Sequence, residues 1–551
     1  MKKIIKLLLT VCFLFTLFAC AREEKKPELK DDIHIFFTSD VHCGVSDNLG
    51  YPKLKALIDD DKAEHPYVAL VDCGDYLQGG TIGSISKGEQ IIHIMNAMGY
   101  DAATIGNHEF DYGMERLSEL MKLADFDIVA CNVAYSGTTA NIFETTPGYV
   151  IKDYDGVKVA FIGVLTPESL VSSTPVFFME DGKFVYDFGN GEGGLVLAKR
   201  VQSSVDAARK EGADYVIALT HLGTGVIYEP YDAVSLIRNT TGIDAVLDGH
   251  AHAVILGETY QNKEGKDVLL SSVGTKMANV GELFIGKDGT LETMLISEYD
   301  REDETIKENI AKEEAALTEL LSVKVSHTDF DLSITDENGI RLVRSREVGL
   351  ANLVADAWRD YLGTDIVIVN GGSVRKTIPA GDITHQNVID VLPFMNSLSI
   401  CIATGQQILD SLEFTSRFTE GLTSFDEKEV GEFGGFLQVS GLKYTIDTSI
   451  PSSVVVDANN MFVEITGERR VKDVMVLQNG EYVPIDPEKS YTVGGPDYVL
   501  AHMGDGNNLF KDCEFIISAG PTDSDVFAAY LSKLDSVSER YAHPEGRITV
   551  K

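Results

Sequence analysis

The chain has 551 residues and a formal net charge of −38, with 44% apolar and 24% charged residues. These proportions are ordinary for a folded globular protein, and the length is too great for one comfortable core, so we expect two domains. The acidic charge argues against polymeric DNA or RNA as a partner, because proteins bind these polyanions through Lys and Arg. A small phosphorylated substrate is compatible with the charge, because metal ions can reverse its sign locally.

Residues 1–20 have the pattern of an export signal. Three lysines accompany an apolar run that ends just before Cys20. Such a run is too short to span a membrane and is typical of a secretory signal peptide. Its end resembles the lipobox of bacterial lipoproteins, which implies acylation of Cys20 and a polar tether at 21–31. The alternative is a cleaved signal followed by a free cysteine. We expect an exported protein, lipid-anchored to a bacterial membrane in the periplasm or at the cell surface.

Residues 32–300 alternate short apolar segments with amphipathic ones. This alternation predicts strands joined by helices in an α/β layered domain. The predicted strands are 33–38, 67–72, 102–105, 128–132, 158–165, 215–220 and 243–247. The predicted helices are 52–64, 90–98, 114–124 and 195–210.

A change of composition marks the boundary to a second domain. Segment 301–325 is charged and contains neither Gly nor Pro, which predicts a helix that joins two domains. The second domain is expected at 326–551, with a helix at 350–362 and strands at 366–370 and 437–446.

Five predicted strands of the first domain end in potential metal ligands. Because ligands collect at the carboxyl ends of strands in α/β sheets, we expect these side chains to lie together. Mixed oxygen and nitrogen ligands suit divalent ions such as zinc or manganese. The sequence therefore predicts a site for two metal ions. The candidate ligands are Asp40, His42, Asp75, Asn107, His221, His250 and His252.

The order of these blocks resembles the signature of the calcineurin-like metallophosphoesterases. The blocks are Asp40-x-His42, Gly74-Asp75, Gly106-Asn107-His108-Glu109, His221 and Gly249-His250-x-His252. The segment 107–111 resembles the 5′-nucleotidase branch in particular. The resemblance implies a four-layer α/β/β/α domain. It implies one metal ion bound by Asp40, His42, Asp75 and His252. It implies a second bound by Asp75, Asn107, His221 and His250.

The resemblance also implies two catalytic residues that do not bind metal. His108 would act on the transferring phosphoryl group and the leaving oxygen. Asp111 would fix the tautomer of His108 and keep it cationic, as a carboxylate beside an imidazole does. The alternative for Asp111 is a helix cap.

Four blocks of the second domain resemble the C-terminal substrate-binding domain of 5′-nucleotidases, which implies an α+β fold. These blocks are 370–375, 391–398, 435–441 and 504–506. The first block contains Asn370, Gly372 and Arg375. Gly372 leaves room for a ligand, and Arg375 would contact the substrate phosphate. Arg417 lies near the expected position of a further phosphate-binding arginine.

The same resemblance assigns residues to the nucleoside. Phe436 would stack on the base, a contact worth ~1–3 kcal/mol, and Asp505 would bind the ribose hydroxyls. The family usually has a second aromatic ring that stacks on the base, but this chain has Val499 at that position. Tyr498, one residue earlier, is the candidate for this ring.

The resemblance as a whole implies a monomeric, two-metal enzyme that hydrolyses nucleoside 5′-monophosphates with an activated water. The C-terminal domain would rotate about the linker helix. Alternatives on the same fold are a 2′,3′-cyclic-nucleotide 2′-phosphodiesterase with 3′-nucleotidase activity and a UDP-sugar hydrolase. A nucleotide-binding surface lipoprotein without turnover is the alternative from another class, although no ligand of the metal signature is missing.

Overall fold

The computed structural model describes residues 29–226, 228–420, 432–517 and 520–551. The predicted signal, the lipidation site Cys20 and most of the tether lie outside the described residues. Within the described ranges, no helix combines the length and the apolar character that crossing a membrane requires.

Two six-stranded sheets form the centre of the N-terminal domain. In the first sheet, the strands lie in the order Leu291–Ile296, Val280–Ile285, Ile33–Thr38, Val68–Asp72, Ala102–Ala103, Asp127–Ile128. The last four are parallel to one another. In the second sheet, the order is Val254–Gln261, Asp267–Val273, Ala245–Asp248, Tyr215–His221, Val157–Leu165, Tyr149–Tyr154.

The two sheets pack face to face, with helices on both outer faces. Successive residues of the strand Ile33–Thr38 alternate between two cores: Phe36 packs against the helices, whereas Ile35 and Phe37 pack against the second sheet. This alternation follows from the period of two along a strand. The helices of the domain are Gly50–Glu64, Thr81–Ser86, Glu89–Met98, Met114–Leu123, Ser169–Ser172, Leu195–Lys210 and Ala233–Asn239. The four-layer α/β/β/α fold is confirmed.

Two predicted strands are shorter than expected. The strand expected at 102–105 stops at Ala103, because the chain then turns towards the site. The strand expected at 128–132 stops at Ile128 because the chain crosses between the sheets. The N–H of Val129 donates to the first sheet at Ala103, and the N–H of Cys131 donates to the second sheet at Gly163. The four predicted helices are present, each within two residues of the expected ends. The four strands between 254 and 296 were not predicted.

A helix follows the N-terminal domain at Glu304–Leu321. It begins at Asp303, whose side chain accepts a hydrogen bond from the N–H of Ile306 at 2.8 Å, a standard cap of a helix N-terminus. Ile306 and Ile310 are buried in the core formed by the helices of the first sheet. The helix is therefore packed on the N-terminal domain along one side.

The C-terminal domain contains a five-stranded and a four-stranded sheet. The first has the order Leu437–Ser440, Ile366–Asn370, Ser490–Pro496, Leu398–Thr404, Glu514–Ile517. The second has the order Glu481–Pro484, Val471–Gln478, Leu442–Ile446, Ile548–Val550. The helices are Gly349–Leu362, His385–Val391, Gly405–Thr415, Asp497–Leu500 and Asp523–Leu531.

The strand predicted at 437–446 is divided between these two sheets at Gly441. Gly441 has a φ of +76°, and a Cβ there would lie 2.1 Å from the carbonyl oxygen of Asp365. Only glycine fits this turn, so the chain leaves one sheet and enters the other.

Candidate active site

The seven predicted ligands lie on five segments at the carboxyl ends of strands in both sheets. Asp40 and His42 follow the strand Ile33–Thr38, and His221 is the last residue of its strand. Because the strands that carry them are parallel, their loops meet at one edge of the domain. Their side chains form two groups there.

The first group consists of Asp40, His42 and His252. One potential ligand atom of each lies within 4.8 Å of the others. The Nε2 atoms of His42 and His252 are 3.1 Å apart, and Nε2 of His252 is 3.5 Å from Oδ1 of Asp40. Burial lowers the pKa of His42 to about 3. The ring is therefore neutral, as an imidazole must be to bind a metal ion.

The second group consists of Asp75, His221 and His250, again with ligand atoms within 4.8 Å of one another. Oδ2 of Asp75 is 3.0 Å from Nε2 of His221. The same oxygen is 3.8 Å from Nε2 of His42 in the first group. The carboxylate of Asp75 therefore lies between the two groups.

Among the predicted ligands, Asn107 has a side-chain oxygen, Oδ1, that is buried without a hydrogen-bond partner among the described residues. Buried polar atoms nearly always have a partner, so this oxygen indicates a missing one. Amide oxygen, carboxylate and imidazole together suit a borderline divalent cation. The residues present fit the metal centre that the sequence predicts.

Backbone groups hold the histidine rings in place. Nδ1 of His42 is 2.9 Å from the carbonyl oxygen of Gln78, and Nδ1 of His221 is 2.8 Å from that of Cys73. When Nδ1 carries the proton and donates to a carbonyl, Nε2 keeps its lone pair and can bind a metal ion. Metal-binding histidines usually make such a contact with their other ring nitrogen.

Glu109 organises the loop that carries Asp75. The backbone N–H groups of Asp75, Tyr76, Leu77 and Gly106 donate to its carboxylate at 2.7–3.1 Å. Burial, together with the charge of Asp75, raises the pKa of Glu109 to about 7. Glu109 belongs to a signature block, but its role could not be predicted, because the backbone groups that it binds have no characteristic residue type.

The ligand loops have an unusual backbone. Positive φ values occur at five ligands: Asp40, His42, Asp75, His250 and His252. Among residues other than glycine, Asp, Asn and His adopt this conformation most readily.

His108 lies beside both groups without belonging to either. Its N–H donates to Oδ1 of Asp75 at 2.8 Å, and its Nδ1 is 2.6 Å from Oδ2 of Asp111. Burial lowers the pKa of His108, but the charges of Asp111 and Asp75 outweigh it and raise the pKa above the ordinary value. The pair predicted from the sequence is therefore formed in the structure.

The C-terminal domain reaches this centre through Phe394 and Arg375. The ring of Phe394 is stacked on that of His108, with centroids 5.9 Å apart, and the guanidinium of Arg375 is 5.7 Å from the Phe394 centroid. Burial and the nearby Arg341 lower the pKa of Arg375 to about 10, against the opposing charges of Asp111 and Asp75. Phe394 was not predicted as a site residue; its half-buried ring after Pro393 has no distinct sequence signal.

The remaining predicted substrate residues lie close to one another. Asn370 is buried at the end of its strand and accepts a hydrogen bond from Ser373. The backbone of Gly372 passes close to that of Gly434. The N–H of Asp505 donates to the hydroxyl of Tyr498 at 3.2 Å.

Asp505 is enclosed by cations and aromatic rings. Its pKa is raised to about 6 by burial, which the charges of Arg344 and Arg417 oppose. Its Oδ2 is buried without a hydrogen-bond partner among the described residues. Arg417 lies over the rings of Phe414 and Phe433, at 4.0 and 3.9 Å from their centroids. Arg344, which was not predicted, is a second cation at this position.

The stacking role expected for Phe436 does not fit the structure. Only 1% of this residue is exposed, and its ring packs in the core of the C-terminal domain with Val439, Leu442 and Val499. A ring enclosed on both faces has no surface for a base. An aromatic residue at the start of a strand gives the same sequence signal whether it packs in the core or faces a ligand.

Two family profiles match the chain. The profile of the calcineurin-like phosphoesterases matches residues 33–254. The profile of the 5′-nucleotidase C-terminal domain matches residues 324–512. With the four-layer fold and the two groups of ligands, the first match defines the N-terminal domain as a calcineurin-like phosphoesterase, a family that uses divalent metals.

Relatives match nearly the whole chain. The trifunctional nucleotide phosphoesterase protein YfkN of Bacillus subtilis is 28% identical over 560 residues, which cover 94% of this chain but only 35% of that protein. A snake venom 5′-nucleotidase of Gloydius brevicauda is 26% identical, with 94% of this chain and 88% of that protein covered. The crystal structure of a 5′-nucleotidase precursor from Thermus thermophilus has a TM-score of 0.76 and 27% identity, with 94% and 99% covered. Over 94% of its length the chain is similar to proteins named 5′-nucleotidase.

Proposed function

We propose that the protein hydrolyses nucleoside 5′-monophosphates to nucleoside and phosphate. The position of Asp75 carries this proposal: its carboxylate lies between two groups of metal-binding side chains and also accepts the N–H of His108. The relatives named 5′-nucleotidase, whose matches cover 94% of the chain, support this substrate class.

In this proposal two divalent ions, zinc or manganese, occupy the two groups. One is bound by Asp40, His42, Asp75 and His252. The other is bound by Asp75, Asn107, His221 and His250. When bound, such a pair of ions lowers the pKa of a water molecule and neutralises charge that develops on the phosphoryl oxygens.

His108 assists the departure of the nucleoside. Hydrolysis joins a water oxygen to phosphorus and breaks the ester P–O bond, so the leaving oxygen needs a proton or a positive charge beside it. Asp111 holds Nδ1 of His108 at 2.6 Å and stabilises the imidazolium, which leaves Nε2 for the substrate. General acid catalysis of this kind contributes ~10²–10⁴-fold.

The C-terminal domain binds the rest of the nucleotide. Arg375 contacts the phosphate, because a guanidinium can bind two phosphate oxygens at once. Asp505 has an unpaired buried oxygen and binds the ribose hydroxyls. The ribose lies between Asn370 and the backbone of Gly372. Tyr498 provides one aromatic contact to the base.

Phe436 is enclosed and is not proposed as a base contact. The half-buried ring of Phe394 lies beside both His108 and Arg375. Phe394 therefore contacts the phosphate end of the nucleotide.

The proposed activity is tested by phosphate release from AMP after the metal ions are removed and then restored as Mn²⁺ or Zn²⁺. We expect release to stop and to return, with two ions per chain. Turnover of 2′,3′-cyclic AMP, 3′-AMP or UDP-glucose in place of AMP would transfer the function to another reaction on this fold. If the chain binds two ions but cleaves no phosphate ester, the protein is a nucleotide-binding protein and not an enzyme.

We also propose that the protein is exported and anchored through an acylated Cys20, on the sequence pattern of residues 1–20. In bacterial cells, labelled palmitate should enter the wild-type chain and not the Cys20→Ser variant. Equal labelling of both chains would contradict the anchor.

A further inference from the structure

A second cluster of metal-binding side chains lies at the opposite end of the first sheet. His34 is the second residue of the strand Ile33–Thr38, whereas the candidate active site begins after the end of that strand. Asp61 and His65 lie at the C-terminal end of the helix Gly50–Glu64. Since a strand rises ~3.3 Å per residue, His34 lies roughly 13 Å from Thr38, the last residue of the strand, and Asp40 follows beyond it. The cluster is therefore not part of the candidate active site.

The potential ligand atoms of the three side chains lie close together. One potential ligand atom from each of His34, Asp61 and His65 lies within 4.8 Å of the other two. The two imidazole rings are stacked, with centroids 4.1 Å apart and an angle of 26° between their planes. Oδ2 of Asp61 is 3.4 Å from Nδ1 of His34, and Oδ1 is 4.0 Å from Nε2 of His65.

Each of the three side chains also has an unsatisfied atom. Nε2 of His34, Oδ2 of Asp61 and Nδ1 of His65 are buried and have no hydrogen-bond partner among the residues that the structure describes. The side chain of His34 is only 7% exposed. Buried nitrogen and oxygen atoms are normally paired, and Nε2 of His34, on the most deeply buried of the three side chains, is the clearest sign of a missing partner.

The charge around the cluster favours a cation. Oε1 of Glu282 is 2.8 Å from Nδ1 of His34, and Oδ2 of Asp31 is 3.9 Å from Nδ1 of His65. The C-terminal end of the helix Gly50–Glu64 adds a partial negative charge. The carboxylate of Glu282 beside His34 matches the outer contact that orients metal-binding histidines.

We propose that His34, Asp61 and His65 form a third divalent-cation site, of the zinc class, separate from the candidate active site. Two imidazoles and a carboxylate are a common zinc donor set. The ion connects the last turn of the helix Gly50–Glu64 to a central strand of the first sheet. Its role is structural, because no substrate-binding residue lies beside it.

The proposal is tested by the zinc content of the full chain after dialysis. His65→Ala removes one ligand, Asp61→Asn removes the anionic ligand with little change of shape, and His93→Ala, at an exposed histidine of the helix Glu89–Met98, is the matched control. We expect both ligand variants to bind one zinc ion fewer than the wild-type chain and the control. Phosphate release should be unchanged in all four proteins.

A second measurement separates loss of the ion from loss of the fold. Added zinc should raise the melting temperature of the wild-type chain and the His93→Ala control more than that of His65→Ala or Asp61→Asn, with equal far-UV circular dichroism before heating. Equal zinc content and equal zinc-induced shifts in all four proteins would overturn the proposal.

Discussion

The two domains face each other across the candidate active site and supply different chemical groups. The N-terminal domain contributes carboxylates and imidazoles on loops that follow parallel strands, and Asp75 connects the two groups. The C-terminal domain contributes Arg375 and the ring of Phe394, which lie against His108. Reaction chemistry and substrate binding are therefore on separate parts of the chain. Changes in the first should alter the turnover number, and changes in the second should alter KM.

The strongest test of this division is Asp75→Asn. Because Asp75 lies between both ligand groups, its loss should lower the content of both metal ions. Several kcal/mol of transition-state stabilisation would be lost, a fall in kcat of ~10³-fold or more. Metal analysis and AMP hydrolysis measure both effects, with the exposed Asp125→Asn as the control. Full activity in Asp75→Asn would show that the reaction does not use this centre.

His108→Ala separates the metal ions from proton transfer within the N-terminal domain. We expect kcat to fall ~10²–10⁴-fold while two metal ions remain bound, because no His108 nitrogen belongs to either ligand group. Steady-state kinetics and metal analysis on the same sample provide the measurement. If His108→Ala loses a metal ion, the residue is a ligand and the proposed role is wrong.

Glu109→Gln tests the support of the ligand loop. The amide cannot accept all four backbone N–H groups as the carboxylate does, so the loop that carries Asp75 should lose its position. Loss of such an outer contact typically costs ~10–100-fold in metal affinity or activity. A metal titration of AMP hydrolysis measures the effect, and the exposed Glu115→Gln is the control. Equal metal affinity in both variants would exclude this role for Glu109.

The smallest expected effect on the reaction is in the C-terminal domain, where Phe394→Ala and Phe436→Ala form a matched pair. Phe394→Ala should weaken AMP binding and raise KM, because the ring packs beside His108 and Arg375, with little change in stability. Phe436→Ala should cost ~3–5 kcal/mol of unfolding free energy, as for a buried core ring, with KM unchanged. Kinetics and denaturant unfolding distinguish the two. A higher KM for Phe436→Ala alone would restore the original assignment of Phe436.

The positions of the candidate metal ligands could be predicted because two independent constraints act on them. An apolar strand is visible in the sequence, and its carboxyl end is where ligands collect. Asp40 and His221 are recognisable as candidates because five such strand ends carry candidate ligands in one domain. The short strands at Ala102–Ala103 and Asp127–Ile128 were overestimated because the chain leaves the sheet for the site or crosses to the other sheet, and both events depend on contacts distant in sequence.

The aromatic contacts could not be predicted in the same way. Phe394 and Phe436 are both phenylalanines in apolar surroundings, and only the packing of the C-terminal domain decides which ring is enclosed. Glu109 was missed for a related reason, since its partners are backbone groups that any residue supplies. The stacked histidines His34 and His65 are 31 positions apart in the chain, and no local pattern joins them.

The positive φ values of the ligand loops have a consequence for comparing distant relatives. At these positions the backbone alone favours Asp, Asn and His, which are also the residue types proposed to bind the ions. A descendant that no longer catalysed the reaction would still be under selection to keep these residues, because replacing them would strain the loops. Intact ligand positions such as Asp40 and His250 are therefore weaker evidence of catalysis in a diverged copy than an intact His108, which has no positive φ. A search for inactive members of the family should begin at His108.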